Sequence, residues 1–405
     1  MKKTKYYTNN PTDVEEIPEQ ESAWRSEIAA ITVKLQEMRK SLQNGEVLRG
    51  VHPKSHGCID ADFIVNEDLR GDYRIGLFAH PGKRFKAKIR YSNAAVVIER
   101  DLGKKGENGS RGMAIKVLDV GDPVLLEDDG ARNQDFLMVN TPEFAFANAR
   151  DYRRLSLALL ADKAGAGTNP ALFFLPLKLA GMGILGPTGK LNPPAPDEPA
   201  EITGMRLAFE HSGVFDGFVP EDLARTKHSF EIVKKIQGMP VRNPLQVQYF
   251  SAAPFRYGPH RVMKYSVAPV DGAVPQAGFS QEEADTIDEN YLARALKESM
   301  AQGKEIRLSF KVQVVKASQL KDRASEMIED ASIAWSEEEF PFIEVARIVI
   351  HPKGQNGPLV DACKSLHFTP WHGLAEHEPL GGINRLRKPV YIESEKNRRG
   401  GAYAS

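Results

Sequence analysis

Arg387-Lys388-Pro389-Val390-Tyr391-Ile392-Glu393-Ser394-Glu395-Lys396-Asn397-Arg398 is the stretch on which the reading of the whole chain turns. Wound as a helix, it places Arg387, Tyr391 and Arg398 on one face, because separations of four and seven residues are about one and two turns. Pro389 fits such a helix in its first turn, where a missing N–H costs nothing. A tyrosine between two arginines on one stripe suits a tyrosinate, since neighbouring cations favour the ionised form of a phenol whose ordinary pKa is about 10. On these residues alone an exposed basic helix with one packed tyrosine is the simpler reading, because short motifs are weak.

The residues upstream change that balance. Val345-Ala346-Arg347-Ile348-Val349-Ile350, then His367-Phe368-Thr369-Pro370-Trp371, then Pro379-Leu380-Gly381 lead into Arg387-x-x-x-Tyr391 and Arg398. In that order they resemble the C-terminal half of the haem domain in the catalase superfamily. The resemblance implies b-type haem with Tyr391 as the axial ligand to iron, the ligand type that catalases use. It implies that Arg387 keeps the phenol ionised and that Arg398 pairs a haem propionate.

Further outward lies Arg49-Gly50-Val51-His52-Pro53-Lys54. A histidine before proline is by itself ordinary structure. With Arg three residues before it and Lys two after, it resembles the family's distal histidine, which implies that His52 is a general acid–base and Arg49 a propionate partner. Ala87-Lys88-Ile89-Arg90-Tyr91-Ser92 alternates as a strand does. It resembles the family's Val-Arg-Phe-Ser strand, where Arg90 would pair a propionate and Ser92 would hydrogen-bond the distal His. Arg111-Gly112-Met113-Ala114-Ile115-Lys116-Val117 resembles the next strand of the family.

The segment Asp135 to Phe144 resembles the one that carries the family's distal Asn, but it departs from the pattern. Catalases have two consecutive Asn before Thr-Pro, the first being the distal one. Here Val139 holds the first position and Asn140 the second. Either a small shift brings Asn140 over the haem, or the pocket lacks its amide. Phe144 and Tyr152 fall where the family sets aromatics against the haem, and each would serve equally as a core aromatic.

The resemblance covers roughly residues 46–400 and implies an α+β fold, a catalase-like antiparallel β-barrel with surrounding helices and a haem-binding C-terminal helix. The organisation expected is an N-terminal arm and helix over 1–45 and a haem domain over 46–400, with an apolar and Pro-rich insertion at 163–200. Seven residues follow Arg398, so a compact member without the family's long C-terminal extension is expected.

Within that frame, residues 1–20 read as a loose acidic arm. Trp24, Ile28, Ile31, Leu35 and Met38 mark an amphipathic helix from Ser22, a candidate cap, to about Leu42. Phe173 to Leu185 is strongly apolar but too short for a confident membrane span. Buried packing explains it most simply, and peripheral membrane or lipid contact through 173–185 is the alternative. Residues 201–240 read as helices; 246–251, 262–267, 308–315 and 343–350 as strands; Tyr257 to His260 as a turn; and 127–130 lies in a solvated loop. Residues 281–302 read as one helix opened by Ser280, with Glu283 completing a capping box.

Composition sets outer bounds. Lys plus Arg equals Asp plus Glu, 54 each, which argues against a nucleic-acid partner. Cys58 and Cys363 make neither a metal spacing nor a disulfide framework, and a reducing, cytoplasmic setting is expected. There is no internal repeat, no apolar signal core and no run of about 18–20 apolar residues. A homo-oligomer is expected.

Three functions are consistent with these residues. The first is a haem peroxidase with weak catalase activity, acting on hydrogen peroxide or an organic hydroperoxide. The second is a fatty-acid hydroperoxide converter resembling the catalase-related allene oxide synthases. Those carry Thr before the distal His where this chain has Val51, as catalases do. The third is a haem-binding protein with little turnover, in keeping with Val139.

Overall fold

The computed structural model describes residues 14–121, 124–126, 132–320, 322–354 and 363–400. Most of the N-terminal arm and the loop at 127–130 lie outside the described residues. Nine strands are described: β1 (Ser55–Val65), β2 (Arg84–Asn93), β3 (Arg111–Val117), β4 (Gln134–Val139), β5 (Tyr249–Phe250), β6 (Phe255–Arg256), β7 (Arg261–Pro269), β8 (Ile306–Lys316) and β9 (Ile343–Ile350). All pairings are antiparallel, in the order β5-β4-β3-β2-β1-β9-β8-β7-β6. Because β5 also pairs with β7, eight strands close on themselves and β6 lies on the edge of β7.

Alternation along the strands explains the closure. Phe85, Ala87, Ile89 and Tyr91 of β2 enter the barrel core with Met113, Ile115 and Val117 of β3, while the intervening residues face outward. Phe63, Phe136, Tyr265 and Phe310 fill the interior with ring centroids 4.7–6.1 Å apart. An interior of this size is filled by side chains and holds no open channel.

The helices are α1 (Glu21–Arg39), α2 (Ala149–Ala161), α3 (Leu175–Gly181), α4 (Ala200–His211), α5 (Pro220–Gln237), α6 (Gln281–Thr286), α7 (Tyr291–Ala301) and α8 (Gly381–Arg398). The α+β class and the antiparallel barrel are those the sequence implied. The chain divides into a unit from Met1–Ile17, Val51–Phe144 and Ile236–Lys388, and a unit from Pro18–Gly50, Ala145–Lys235 and Pro389–Ser405. Every strand belongs to the first. In the second, Ile31 and Leu35 of α1 pack with Leu155, Ala158 and Leu159 of α2 and with Phe173, Val214 and Phe215.

Several expectations need correction. Glu15, at the end of the arm, is buried. Its carboxylate accepts from the Gly381 N–H at 2.7 Å and pairs with Arg385. Burial, opposed by Arg385 and that N–H, holds this carboxyl above its ordinary range. Glu329 accepts from the Gly382 N–H at 2.9 Å. Two carboxylates therefore start α8 at Gly381 and leave Pro389 inside the helix rather than in its first turn. α1 begins at Glu21 after Gln20, with no side-chain cap, so Ser22 does not cap it. The capping box of Ser280 and Glu283 forms, but its helix ends at Thr286 and a second begins at Tyr291. Cys58 and Cys363 are joined in a disulfide with Cα atoms 5.6 Å apart. A sequence separation of 305 gave no local spacing from which to read that pairing.

The apolar run at 173–185 is packed. Phe173, Leu179, Ile184 and Leu185 are buried, and of its large apolar side chains Met182 is the one exposed. No described helix is long and apolar enough to cross a membrane.

Candidate functional site

His52, Arg90, Ser92, Asn140, Phe144 and Arg387 belong to the barrel unit; Arg49, Tyr152, Tyr391 and Arg398 belong to the helical one.

In the barrel unit the site grows from strand register. Ser92 of β2 stands opposite Gly112 of β3, and Gly112 opposite Val139 of β4. Residues paired across strands share a face, so these three form one outward row. The half-buried His52 precedes β1. Its Nδ1 is 3.0 Å from Ser92 Oγ. Its ring lies where a Cβ on Gly112 would overlap Nδ1 and Cε1 and crowd Ser92 Oγ. The bare strand at Gly112 is thus a condition for the ring's position. His52 also has φ +56°, a conformation uncommon for histidine. Its N–H donates to Ala95 O at 2.8 Å, and Arg90 Nη2 donates to its carbonyl at 2.8 Å.

The β3–β4 register runs unbroken from Val117–Gln134 to Gly112–Val139, so Val139 is the residue beside Gly112. Asn140 lies one residue past the strand. Its Oδ1 accepts from the Arg111 N–H at 2.7 Å and from Ser110 Oγ at 3.3 Å. Its Nδ2 is buried and makes no hydrogen bond among the described residues. The Arg387 guanidinium lies 5.5 Å from the centre of the Phe144 ring, and Nη1 donates to Asn384 Oδ1 at 3.1 Å.

In the helical unit, Gln36 of α1 donates to Leu48 O at 2.7 Å and to Ser394 O at 3.2 Å. The Gly50 N–H donates to Ser394 Oγ at 3.1 Å. These bonds fasten the segment bearing Arg49 to the last turns of α8. There Arg398 forks onto the buried Glu395, with Nε–Oε2 2.8 Å and Nη2–Oε1 2.5 Å, and Arg399 Nε reaches Oε1 at 2.6 Å. Burial first, then the charge of Arg398, pulls Arg49 down to about 10; Glu395 opposes and Arg399 adds. Arg49 therefore stays charged at neutral pH. Arg398 and Arg399 thus pair with one carboxylate, and Arg49 lies close enough to feel all three charges. Tyr391 is half-buried, four residues before Glu395 on α8. Tyr152 of α2 meets Phe146 edge-on at 6.0 Å. Tyr152 also faces the buried Arg39, which burial lowers to about 10.

Sequence reading missed the part played by Gly112, though its motif was quoted. It also missed Glu395 and a buried polar cluster behind His52: Lys54, His56, Asn93, Asp101 and Arg111. Lys54 carried the signal through its offset from His52; Asp101 carried none. Burial chiefly lowers His56 to about 4, so it is neutral at pH 7. Among the described residues no group of three or more His, Cys, Asp or Glu could hold a bare metal ion.

No protein-family model matches the sequence, and no curated protein does. Solved structures do match. A fungal catalase superposes with TM-score 0.55 at 18% identity, covering 91% of this chain and 62% of its own. A bacterial catalase gives 0.56 at 16%, with 91% and 60% covered. Catalase A from Saccharomyces cerevisiae gives 0.56 at 16%, with 89% and 63% covered. The chain spans less than two thirds of the length of each. The likeness at such low identity is one of architecture, and the chain has the catalase fold.

Proposed function

We propose that this protein is a haem-dependent oxidoreductase that reacts with hydrogen peroxide or organic hydroperoxides, working as a peroxidase with weak catalase activity. The observation that carries the reading is the His52 ring, hydrogen-bonded to Ser92 and laid against the bare strand at Gly112. The catalase fold supports it as an oxidoreductase.

The residues fit a haem on two counts. The guanidinium groups of Arg49, Arg398 and Arg399, gathered near Glu395, have the planar fork geometry that suits the carboxylates of a haem edge. Tyr391, one turn after Arg387 on α8, suits an anionic iron ligand. Haem, when bound, supplies the redox-active iron that accepts the oxidising equivalents of a peroxide. The remaining work belongs to the chain. With Nδ1 engaged by Ser92, Nε2 of His52 takes the proton from one peroxide oxygen and returns it to the other. Ser92 fixes the plane of the imidazole while this happens. Arg49 and Arg398 are the candidate partners of the haem carboxylates, with Arg90 a further candidate that also bonds the His52 carbonyl, and Phe144 and Tyr152 are the candidate apolar faces.

Val139 tilts the function towards peroxidase. A valine cannot donate a hydrogen bond. A preorganised donor missing from a dry site typically costs about 3 kcal/mol of transition-state stabilisation, or about two decades in rate. Dismutation must hold and oxidise a second peroxide, so it suffers more than turnover completed by an external reductant. The burial of Phe173, Leu179, Ile184 and Leu185 supports internal packing as the role of the 173–185 run and so favours the peroxidase reading over a lipid hydroperoxide converter.

The test is an ultraviolet–visible spectrum of the haem-reconstituted protein beside Tyr391→Phe. The parent should show a high-spin ferric tyrosinate spectrum that the variant loses. A spectrum that survives the substitution unchanged rules out Tyr391 as the ligand.

A further inference from the structure

A left-handed histidine persists where its surroundings over-determine it. Two of the contacts that do so for His52 lie on the residue itself, at Ala95 O and Arg90. The backbone that follows is held at Pro53, whose carbonyl accepts from Arg90 Nη2 at 3.4 Å, and above all at Lys54. Its carbonyl accepts from the Asn93 N–H at 3.2 Å. Its ammonium group, buried with the side chain 7% exposed, reaches Asp101 Oδ1 at 2.6 Å, Glu99 O at 2.6 Å and Glu289 O at 2.8 Å. Three acceptors match its three hydrogens.

Asp101 is as fully used. Asn93 Nδ2 donates to its Oδ1 at 3.0 Å, and the Leu292 N–H, in the first turn of α7, donates to its Oδ2 at 3.0 Å. Its own N–H donates to Glu289 O at 3.0 Å, and Arg111 donates to its carbonyl. His56 Nε2 meets Asn93 Oδ1 at 2.9 Å, completing the cluster. A buried ion pair is a poor source of stability, because desolvation offsets its Coulomb attraction. Its attested use is to specify one conformation among several. This pair sits two residues from a strained histidine and fastens the strand ends of β2 and β3, the 99–101 segment and α7 to the backbone that carries it.

We propose that Lys54 and Asp101 form a positioning pair that locks the 52–54 backbone in its left-handed turn and so sets the His52 imidazole against Ser92 and Gly112. Neither residue touches substrate. The functional consequence rests on His52 being the acid–base group; the conformational claim does not.

The experiment uses the full chain and the double variant Lys54→Met/Asp101→Asn, which removes both charges at nearly constant volume. Three quantities are read: hydrogen exchange at the His52 N–H against the amides of β8, the imidazole resonances of His52, and consumption of tert-butyl hydroperoxide by the haem-loaded protein. Exchange at His52 should rise about 10-fold or more while β8 amides keep their protection, as expected when one local segment opens. The imidazole resonances should move, and the rate should fall roughly 100-fold, the scale of a small misplacement of a catalytic group. Unchanged exchange and resonances at His52 overturn the proposal whatever the rate does. A parent that binds haem yet does not consume the hydroperoxide overturns the functional reading and leaves the exchange result to decide the conformational one. Should the double variant not fold, isosteric Asp101→Asn alone is read by the same quantities, with the same outcomes deciding.

Discussion

The candidate residues of the barrel unit and those of the helical unit are arranged on different plans. Around His52 the cations of the barrel unit are spent on partners within the chain: Lys54 on Asp101 and two carbonyls, Arg90 on the carbonyls of His52 and Pro53, Arg111 on Asn93 and Asp101. Around Glu395 in the helical unit, Arg398 and Arg399 share one carboxylate, with Arg49 close by. The first arrangement fixes a geometry, because most of its acceptors are backbone carbonyls held by strands and turns. The second gathers guanidinium groups about one side-chain carboxylate, the kind of surface on which the proposed haem carboxylates would be received. A proton-transfer group needs position, whereas a cofactor carboxylate needs electrostatic attraction, and under the proposed function the two clusters would answer those two needs.

The sharpest way to break the geometric arrangement is Gly112→Ala. The new methyl would overlap the His52 ring and crowd Ser92 Oγ, so the imidazole must leave its place. Haem binding should persist while the rate of hydroperoxide consumption falls roughly 100-fold, the scale of a displaced catalytic group. Stopped-flow measurement of peroxide reaction, with haem content determined on the same sample, checks both. An unaltered rate would show that the ring's contact with Gly112 has no part in the chemistry.

A smaller effect in the opposite direction is expected from Val139→Asn. The register places residue 139 beside Gly112 on the row that His52 lies against. An amide there restores a donor, but in a pocket not shaped to orient it, so recovery should stop short of the two decades a preorganised donor is worth. Oxygen evolution from hydrogen peroxide should rise about 10-fold, with reductant-dependent turnover little changed. Parent dismutation at the rate of true catalases, or a large loss in Asn140→Ala, would mean that the buried Nδ2 of Asn140 already supplies the donor.

The contrast between the two clusters also explains what could be read in the sequence. Strand alternation marked β2 and β7, since a barrel wall repeats every second residue, while β3 was marked by resemblance alone and β9 by its β-branched residues. The motif offsets pointed to His52 and Ser92, which the fold brings within hydrogen-bond distance, and to Tyr391 as the proposed ligand. What escaped was set by contacts distant in sequence. Glu15 fixes the start of α8 from 366 residues away, and Cys58 meets Cys363 across 305. Asp101 has no local signature because its partners come from four separate segments, before β1, the end of β2, the start of β3 and the start of α7. The break between α6 and α7 escaped because apolar periodicity continues across 287–290. Gly112 was visible as a letter, but its meaning depended on a ring brought in from before β1.

The smallest expected effect tests the electrostatic arrangement. Arg399 is exposed at 40% of its side chain and touches Glu395 at the rim of the cluster. Arg399→Ala acts twice in one direction: it removes a positive charge from the region where an anion is to bind, and it leaves Glu395 more fully committed to Arg398. Both weaken attraction for a haem carboxylate. The magnitude is bounded by exposure, since a partly solvated ion pair is worth about 0.2–1 kcal/mol. The dissociation constant for haem should therefore rise by no more than about 5-fold at low ionic strength, and the difference from the parent should shrink as salt approaches about 1 M, where the Debye length falls to about 3 Å. Haem titration at two salt concentrations measures this. Equal affinities at low salt would show that the positive charge around Glu395 does not act on the cofactor. A loss that persists at high salt would point instead to Arg399 packing against α8, with its aliphatic stem rather than its charge as the part that matters.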